Sequence, residues 1–106
     1  MTKLIFFVDD NCYVGFKCSG HSGYAEQGSD IVCAAVSTAV QMCAGYLMTY
    51  HSDRVTYYQD NNCATIELQC KTRFAEADMQ ISVLNSFAED LAQQYPEYFT
   101  FEILEV

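Results

Sequence analysis

The segment that decides the fold is residues 30–48, which read DIVCAAVSTAVQMCAGYLM. Its apolar residues cover nearly the whole circumference of a helix predicted from Asp30 to about Met48. A helix that is apolar on all sides is buried on more than one side. The sequence therefore predicts a buried helix that lies either between a sheet and a second helix or between a sheet and another subunit.

The residues before this helix predict a β-hairpin. An apolar run of strand length extends from Lys3 to Asp9, and the turn residues Asp10-Asn11 follow it. Beyond the turn, apolar and polar side chains alternate, as in a strand with one buried face. The alternation predicts two opposite faces, one with Cys12, Val14, Phe16 and Cys18 and the other with Tyr13, Lys17 and Ser19.

The residues after the helix predict a second hairpin and a second helix. Two strands, Arg54–Gln59 and Cys63–Cys70, flank the turn sequence at residues 60–62. The second helix is predicted from about Ala77 to Tyr95, where apolar residues recur at spacings of three and four, and it ends before Pro96.

A fifth strand is predicted near the end of the sequence, where Phe99, Phe101 and Ile103 alternate with Thr100, Glu102 and Leu104. The element order is therefore ββαββαβ. We expect a single α+β domain over residues 1–106, with two helices packed on an antiparallel or mixed five-stranded sheet.

Composition limits the possible functions. The chain has 106 residues, 51% of them hydrophobic, and 5 basic against 14 acidic residues give a formal charge of −9. A chain this apolar is not intrinsically disordered. Five basic residues can neutralise only a few phosphates. The charge therefore argues against direct binding to nucleic acid or to an anionic membrane. The same charge is compatible with basic protein partners.

Six cysteines raise the question of the redox compartment. The apolar run Leu4–Val8 is shorter than the core of a signal peptide, and we expect no run to reach the roughly 20 residues of a membrane span. We therefore expect a cytoplasmic protein with free, mostly buried thiols. The closest pair of metal-ligand type is Cys18 and His21, without a second pair or a C-x-x-C motif, so no metal or other cofactor is expected.

The loop between the second strand and the first helix carries the candidate chemistry. Gly20, Gly23 and Gly28 suggest a loop that moves about glycine hinges. His21 lies at its start, and Cys33 lies in the first turn of the helix. A helix N-terminus stabilises a thiolate, and its N–H groups can stabilise an oxyanion.

A cysteine nucleophile also needs a base within hydrogen-bond reach. The twelve residues between His21 and Cys33 permit this contact without forcing it. Cys33 could equally be a small apolar residue like the other five cysteines, and His21 a solvated loop residue.

The stretch GHSGYAEQGSDIVCAAVS, Gly20–Ser37, closely resembles the signature of the bacterial ribosomal-processing cysteine proteases. The family pattern is G-H-x-G, a gap, and then D-I-V-C-A-A-x-S. The resemblance implies that His21 is the catalytic histidine and Cys33 the nucleophile. Asp30 and Ser37 occupy matching positions and are candidate supporting residues.

This resemblance implies a cytoplasmic homodimer that needs no metal and removes an N-terminal extension from ribosomal large-subunit protein number twenty-seven. Cleavage in the family follows an aromatic pair. Asp30 then either caps the helix or orients His21, with the cap favoured. Ser37, one turn beyond Cys33, lies within reach of the thiol or substrate, or is a small residue that lets helices pack closely. The acidic chain suits a basic ribosomal protein.

Two other functions agree with the same residues. The first is a non-catalytic module that binds a basic ribosomal-protein tail in the same cleft. The second is a cysteine hydrolase that acts on a small thioester or amide. The reactivity of Cys33 relative to the other thiols distinguishes the first alternative from a protease, and peptide cleavage distinguishes the second.

Overall fold

The computed structural model describes residues 1–21, 23–26, 30–61 and 64–106. It has the predicted element order ββαββαβ. The strands are β1 (Thr2–Asp9), β2 (Cys12–Ser19), β3 (Val55–Asp60), β4 (Thr65–Cys70) and β5 (Phe99–Glu105), and the helices are α1 (Ile31–Tyr50) and α2 (Ala75–Gln94).

The five strands form one mixed sheet in the order β3-β4-β2-β1-β5. β1 is antiparallel to β2 and parallel to β5, whereas the β2–β4 and β3–β4 pairs are antiparallel. The turn between β1 and β2 uses Asp10 and Asn11, whose φ angles are 52° and 65°. Asp and Asn tolerate this left-handed region better than most residues, so the two-residue turn predicted from sequence is confirmed.

Both helices pack on the same face of the sheet, and α1 lies beside α2. Of the two positions predicted for α1, the one between the sheet and a second helix is therefore wrong, and the one between the sheet and another subunit stays a prediction. The core combines buried side chains from both helices and all five strands, among them Leu4, Phe16, Val36, Leu47, Val55, Leu68, Ile81 and Phe99.

The composition of α1 also differs from one expectation. Among the described residues, this helix alone is long and apolar enough to cross a membrane, so the expectation that no segment reaches that length is wrong for α1. The core accounts for part of its apolar character, since α1 packs on both the sheet and α2, but Ile31, Met42 and Tyr50 are exposed. Its buried residues are Val32, Val36, Val40, Cys43, Ala44 and Leu47.

A β-bulge corrects the predicted faces of β2. The register between β1 and β2 shifts between Phe7 and Val8, so that Tyr13 pairs with Val8. Tyr13 therefore joins the core face, where its ring meets Phe6 edge-to-face at 5.9 Å. Its N–H, displaced from the regular ladder, donates to the Asp78 carboxylate at 2.8 Å. Strict alternation failed here because one inserted residue reverses every side chain beyond it.

Candidate active site

The loop, the start of α1 and the end of the β3–β4 hairpin surround a cleft of about 710 Å³. Both His21 and Cys33 line it, so the structure brings the two candidate catalytic residues to one cavity. Its other described lining residues include Thr2, Cys18, Gly20, Asp30, Ser37, Gln41, Asp60 and Thr65.

Asp30 is the N-cap of α1, as the sequence predicts. Its backbone is extended, with φ −82° and ψ 102°, and its carboxylate accepts the N–H of Cys33 at 2.9 Å. The other carboxylate oxygen accepts the N–H of Ala25 at 3.4 Å. Asp30 therefore stabilises the turn that carries Cys33 and also holds the loop against that turn.

Cys33 is half-buried in the first turn of α1, at the third helical position. Partial positive charge at a helix N-terminus favours a negative sulfur at this position. The Asp30 carboxylate offsets part of that charge because it binds the same turn. A base in the cleft would remove the proton from the thiol, while the helix N-terminus favours the resulting thiolate. His21 is the described histidine that lines the cleft.

Thr2 contacts Cys33, and the sequence does not predict this contact. It lies at the start of β1 with only 2% of its surface exposed. Its Oγ1 lies 3.9 Å from Cys33 Sγ and donates to the Gly20 carbonyl at 3.3 Å. No local signal identifies this residue, because a threonine that begins an apolar strand is common in any sheet.

The predicted glycine hinges have different environments. Gly20 has φ +88°, and a Cβ there would lie 2.5 Å from the Met1 carbonyl oxygen. Gly23 has φ +75° with nothing within 4 Å of a Cβ position. Glycine is therefore favoured at position 20 both by the left-handed backbone and by the lack of room for a side chain. At position 23 it is favoured by the left-handed backbone alone. Gly28 lies outside the described residues, and the movement of the loop stays a prediction.

An aromatic contact, also missed from sequence, holds the loop on its other side. The Tyr24 ring meets Tyr95 at 5.6 Å and Tyr98 at 5.2 Å, both edge-to-face. Tyr95 follows α2, and Tyr98 lies just before β5. Such ring pairs add stabilisation beyond the area they bury. The loop that carries His21 is thus docked against the segment joining α2 to β5.

Ser37 lines the cleft one turn beyond Cys33. Its hydroxyl accepts from the Gln41 side chain at 2.8 Å. Gln41 also lines the cleft, so this hydrogen bond joins two polar side chains of its lining. Both predicted roles of Ser37 stay predictions. The cleft lining also includes Asp60 and Thr65, for which the sequence indicates only turn and strand positions.

Three other cysteines, Cys18, Cys43 and Cys70, have thiols whose pKa is raised by burial. Burial raises the pKa of the Cys18 thiol to about 11, and the nearby Cys33 raises it to a smaller degree. Burial, with a smaller effect of Cys70, raises the pKa of Cys43 to about 12. Burial raises the pKa of Cys70 itself to about 11. These three residues are neutral thiols at neutral pH.

The described cysteines Cys12, Cys18, Cys33, Cys43 and Cys70 are not in disulfide bonds, and Cys63 lies outside the described residues. Among the side chains that the structure describes, no three His, Cys, Asp or Glu come together in a way that could hold a metal ion.

Comparison with known proteins gives concordant results. The sequence model of the family "Cysteine protease Prp" matches residues 1–100. The ribosomal processing cysteine protease Prp of Mycoplasma pneumoniae is 31% identical over 84 residues, which are 79% of this chain and 81% of that protein.

Solved structures share the fold. The S. aureus ribosomal processing protease Prp, in complex with a covalently linked product peptide, has a TM-score of 0.88 at 21% identity, covering 98% of this chain and 100% of that one. A Streptococcus mutans protein has a TM-score of 0.80 at 23% identity, covering 100% of this chain and 96% of that one. The S. aureus protease in complex with a substrate peptide has a TM-score of 0.79 at 16% identity, covering 98% of this chain and 100% of that one.

Proposed function

Because the chain belongs to the family of the cysteine protease Prp, we propose that it cleaves a ribosomal protein precursor with Cys33 as nucleophile and His21 as base. One observation carries this assignment. Cys33, in the first turn of α1, lines the same cleft as His21. Asp30 accepts hydrogen bonds both from the loop that carries His21 and from the turn that carries Cys33.

The proposed mechanism passes through an acyl-enzyme. His21 takes the proton of the Cys33 thiol, and the thiolate attacks the scissile carbonyl carbon. N–H groups at the N-terminus of α1 stabilise the resulting oxyanion. The tetrahedral intermediate collapses as His21 protonates the leaving amine, which leaves a thioester on Cys33. Water then attacks the thioester, the new carboxylic acid departs, and the thiol is restored.

The proposed substrate is large-subunit protein number twenty-seven with its N-terminal extension, cut after an aromatic pair. The substrate and product peptides bound to the S. aureus protease support a peptide substrate by similarity. The charge of the cleft supports a basic substrate. Apart from His21, the charged side chains among its described lining residues are Asp30 and Asp60, and the whole chain has a charge of −9. This charge attracts a basic chain.

Incubation of the purified protein with the extended ribosomal protein tests this function directly. Mass spectrometry should find one new N-terminus immediately after the aromatic pair, and a substrate with alanines at that pair should remain intact. Binding without cleavage would favour the non-catalytic module. Turnover of small thioesters together with an intact protein substrate would favour the second alternative.

Alkylation by position tests the nucleophile without any substrate. At pH 7 a thiol with a pKa near 11 is deprotonated only about one part in 10⁴. Cys18, Cys43 and Cys70 should therefore react slowly until the pH approaches 10 or the protein unfolds, whereas Cys33 should react first. Iodoacetamide labelling followed by peptide mass spectrometry measures the order. Labelling of Cys33 no faster than of Cys43 would contradict the assignment.

We also propose that the protein acts in the cytoplasm as a homodimer. The described cysteines are not in disulfide bonds, which suits a reducing compartment. A groove between α1 and α2 leaves apolar side chains exposed, with Met42 at 72% and Val83 at 66%. Such a surface suits a subunit contact. Sedimentation velocity should show a dimer for the wild type and for Val106→Glu, and a monomer for Val83→Glu. A monomeric wild type would contradict the proposal.

A further inference from the structure

Thr2 connects the nucleophile to the loop that carries His21. Its backbone N–H donates to the Tyr98 carbonyl at 3.0 Å, which places the residue between β2 and the start of β5. Its side chain is almost fully buried, and a buried hydroxyl needs hydrogen-bond partners. Two such partners are the Gly20 carbonyl at 3.3 Å and Cys33 Sγ at 3.9 Å.

A hydroxyl has one proton to donate, and this limits how Thr2 serves its two partners. When Cys33 is a thiol, the Thr2 hydroxyl can donate to the Gly20 carbonyl and accept the S–H proton. When Cys33 is a thiolate, it has no proton to give, and the hydroxyl can instead rotate to donate to the sulfur. The Gly20 carbonyl then loses this donor.

Gly20 is the residue through which such a change reaches the loop. Its backbone is in the left-handed region with φ +88°, in close contact with the backbone of Met1, and His21 follows it directly. A change in the hydrogen bond to the Gly20 carbonyl therefore acts on the peptide group that begins the His21 segment.

We propose that Thr2 is a positioning residue that couples the protonation of Cys33 to the backbone that carries His21. The hydroxyl stabilises the thiolate once His21 has taken the proton, and it releases the Gly20 carbonyl at the same step. This role rests on the proposed function of Cys33 and His21, although its first test needs no protease activity.

The first measurement is the pH profile of Cys33 alkylation. Thr2→Val keeps the branched shape but removes the hydroxyl, so the profile should move to higher pH and the rate at pH 7 should fall about threefold to tenfold. Thr2→Ser should restore the wild-type profile because it keeps the hydroxyl. Thr100→Val is the matched control, since Thr100 lies in β5 beside Lys3 and outside the cleft.

The second measurement is cleavage of the extended ribosomal protein. Thr2→Val should lower kcat by a similar factor with little change in KM, and Thr2→Ser should not. If Thr2→Val fails to fold, Thr2→Ala repeats the test, because it also removes the hydroxyl. An unchanged alkylation profile in a folded hydroxyl-free variant would overturn the role of Thr2. A wild type with reactive Cys33 but no cleavage would instead contradict the proposed function.

Discussion

Cys33→Ala is expected to abolish cleavage of the extended ribosomal protein, with a loss of at least about 10⁴-fold in kcat/KM. Alanine supplies no nucleophile. Among the described residues that line the cleft, the other cysteine is Cys18, which is buried with a pKa raised to about 11. The fold should persist because Cys33 is only half-buried. The measurement is product formation by mass spectrometry, together with a urea unfolding curve that confirms the native state.

Removal of the base should have a smaller effect. His21→Ala is expected to lower kcat/KM about 10²-fold to 10⁴-fold, the usual contribution of a general base. Because His21 is exposed, added imidazole can enter the cleft and should restore part of the activity.

Two control variants accompany these substitutions. Cys12→Ala changes a cysteine at the start of β2, outside the cleft residues, and should keep wild-type activity. His51→Gln changes the other histidine, which packs on Phe74 at a centroid distance of 5.2 Å, and should keep cleavage as well. Cleavage that survives Cys33→Ala would reject the acyl-enzyme mechanism, and full activity of His21→Ala would reject His21 as the base.

Asp30→Ala is expected to lower both the stability and the activity of the protein. Loss of the N-cap is expected to lower the free energy of unfolding by about 1–2 kcal/mol. The same change removes the contact to Ala25 and loosens the turn of Cys33, so kcat/KM should fall about 10-fold to 100-fold. Urea denaturation and initial cleavage rates measure the two effects separately.

Asp30→Asn distinguishes the cap from an electrostatic role. Asparagine is as good an N-cap as aspartate, so a capping role predicts near wild-type stability and activity within about threefold. Asp90→Ala, at an exposed position of α2, controls for the loss of one negative charge. A stable Asp30→Asn that is as inactive as Asp30→Ala would show that the carboxylate charge acts on His21, contrary to the capping role.

The secondary structure was largely predictable because it depends on local patterns. Alternation indicated the strands, helical spacing with Pro96 indicated α2, and Asp30 indicated the start of α1. The bulge after Phe7 was not predictable, since it depends on how β2 pairs with β1 and not on the residues of β2 alone. For this reason the alternation in β2 predicts the wrong face for Tyr13.

The candidate site likewise contains residues that the sequence predicts and one that only the fold brings there. His21, Cys33, Asp30 and Ser37 lie within one continuous segment, where the motif and the helix start are both visible in sequence. Thr2 lies 31 residues before Cys33, and its contact with the sulfur exists only because the sheet brings the start of β1 beside the end of β2 and the first turn of α1.

The sequence by itself determined the elements and their order, the capped helix that begins just before Cys33, and the segment that holds the candidate catalytic pair, because each depends on neighbouring residues. Only the tertiary structure decided that α1 and α2 share one face of a mixed sheet, that β1 and β5 are parallel, and that Thr2, Tyr24 and Asp60 contribute to the cleft or its loop. These features come from contacts between distant residues, and such contacts depend on the packing of the whole core, which no local pattern encodes.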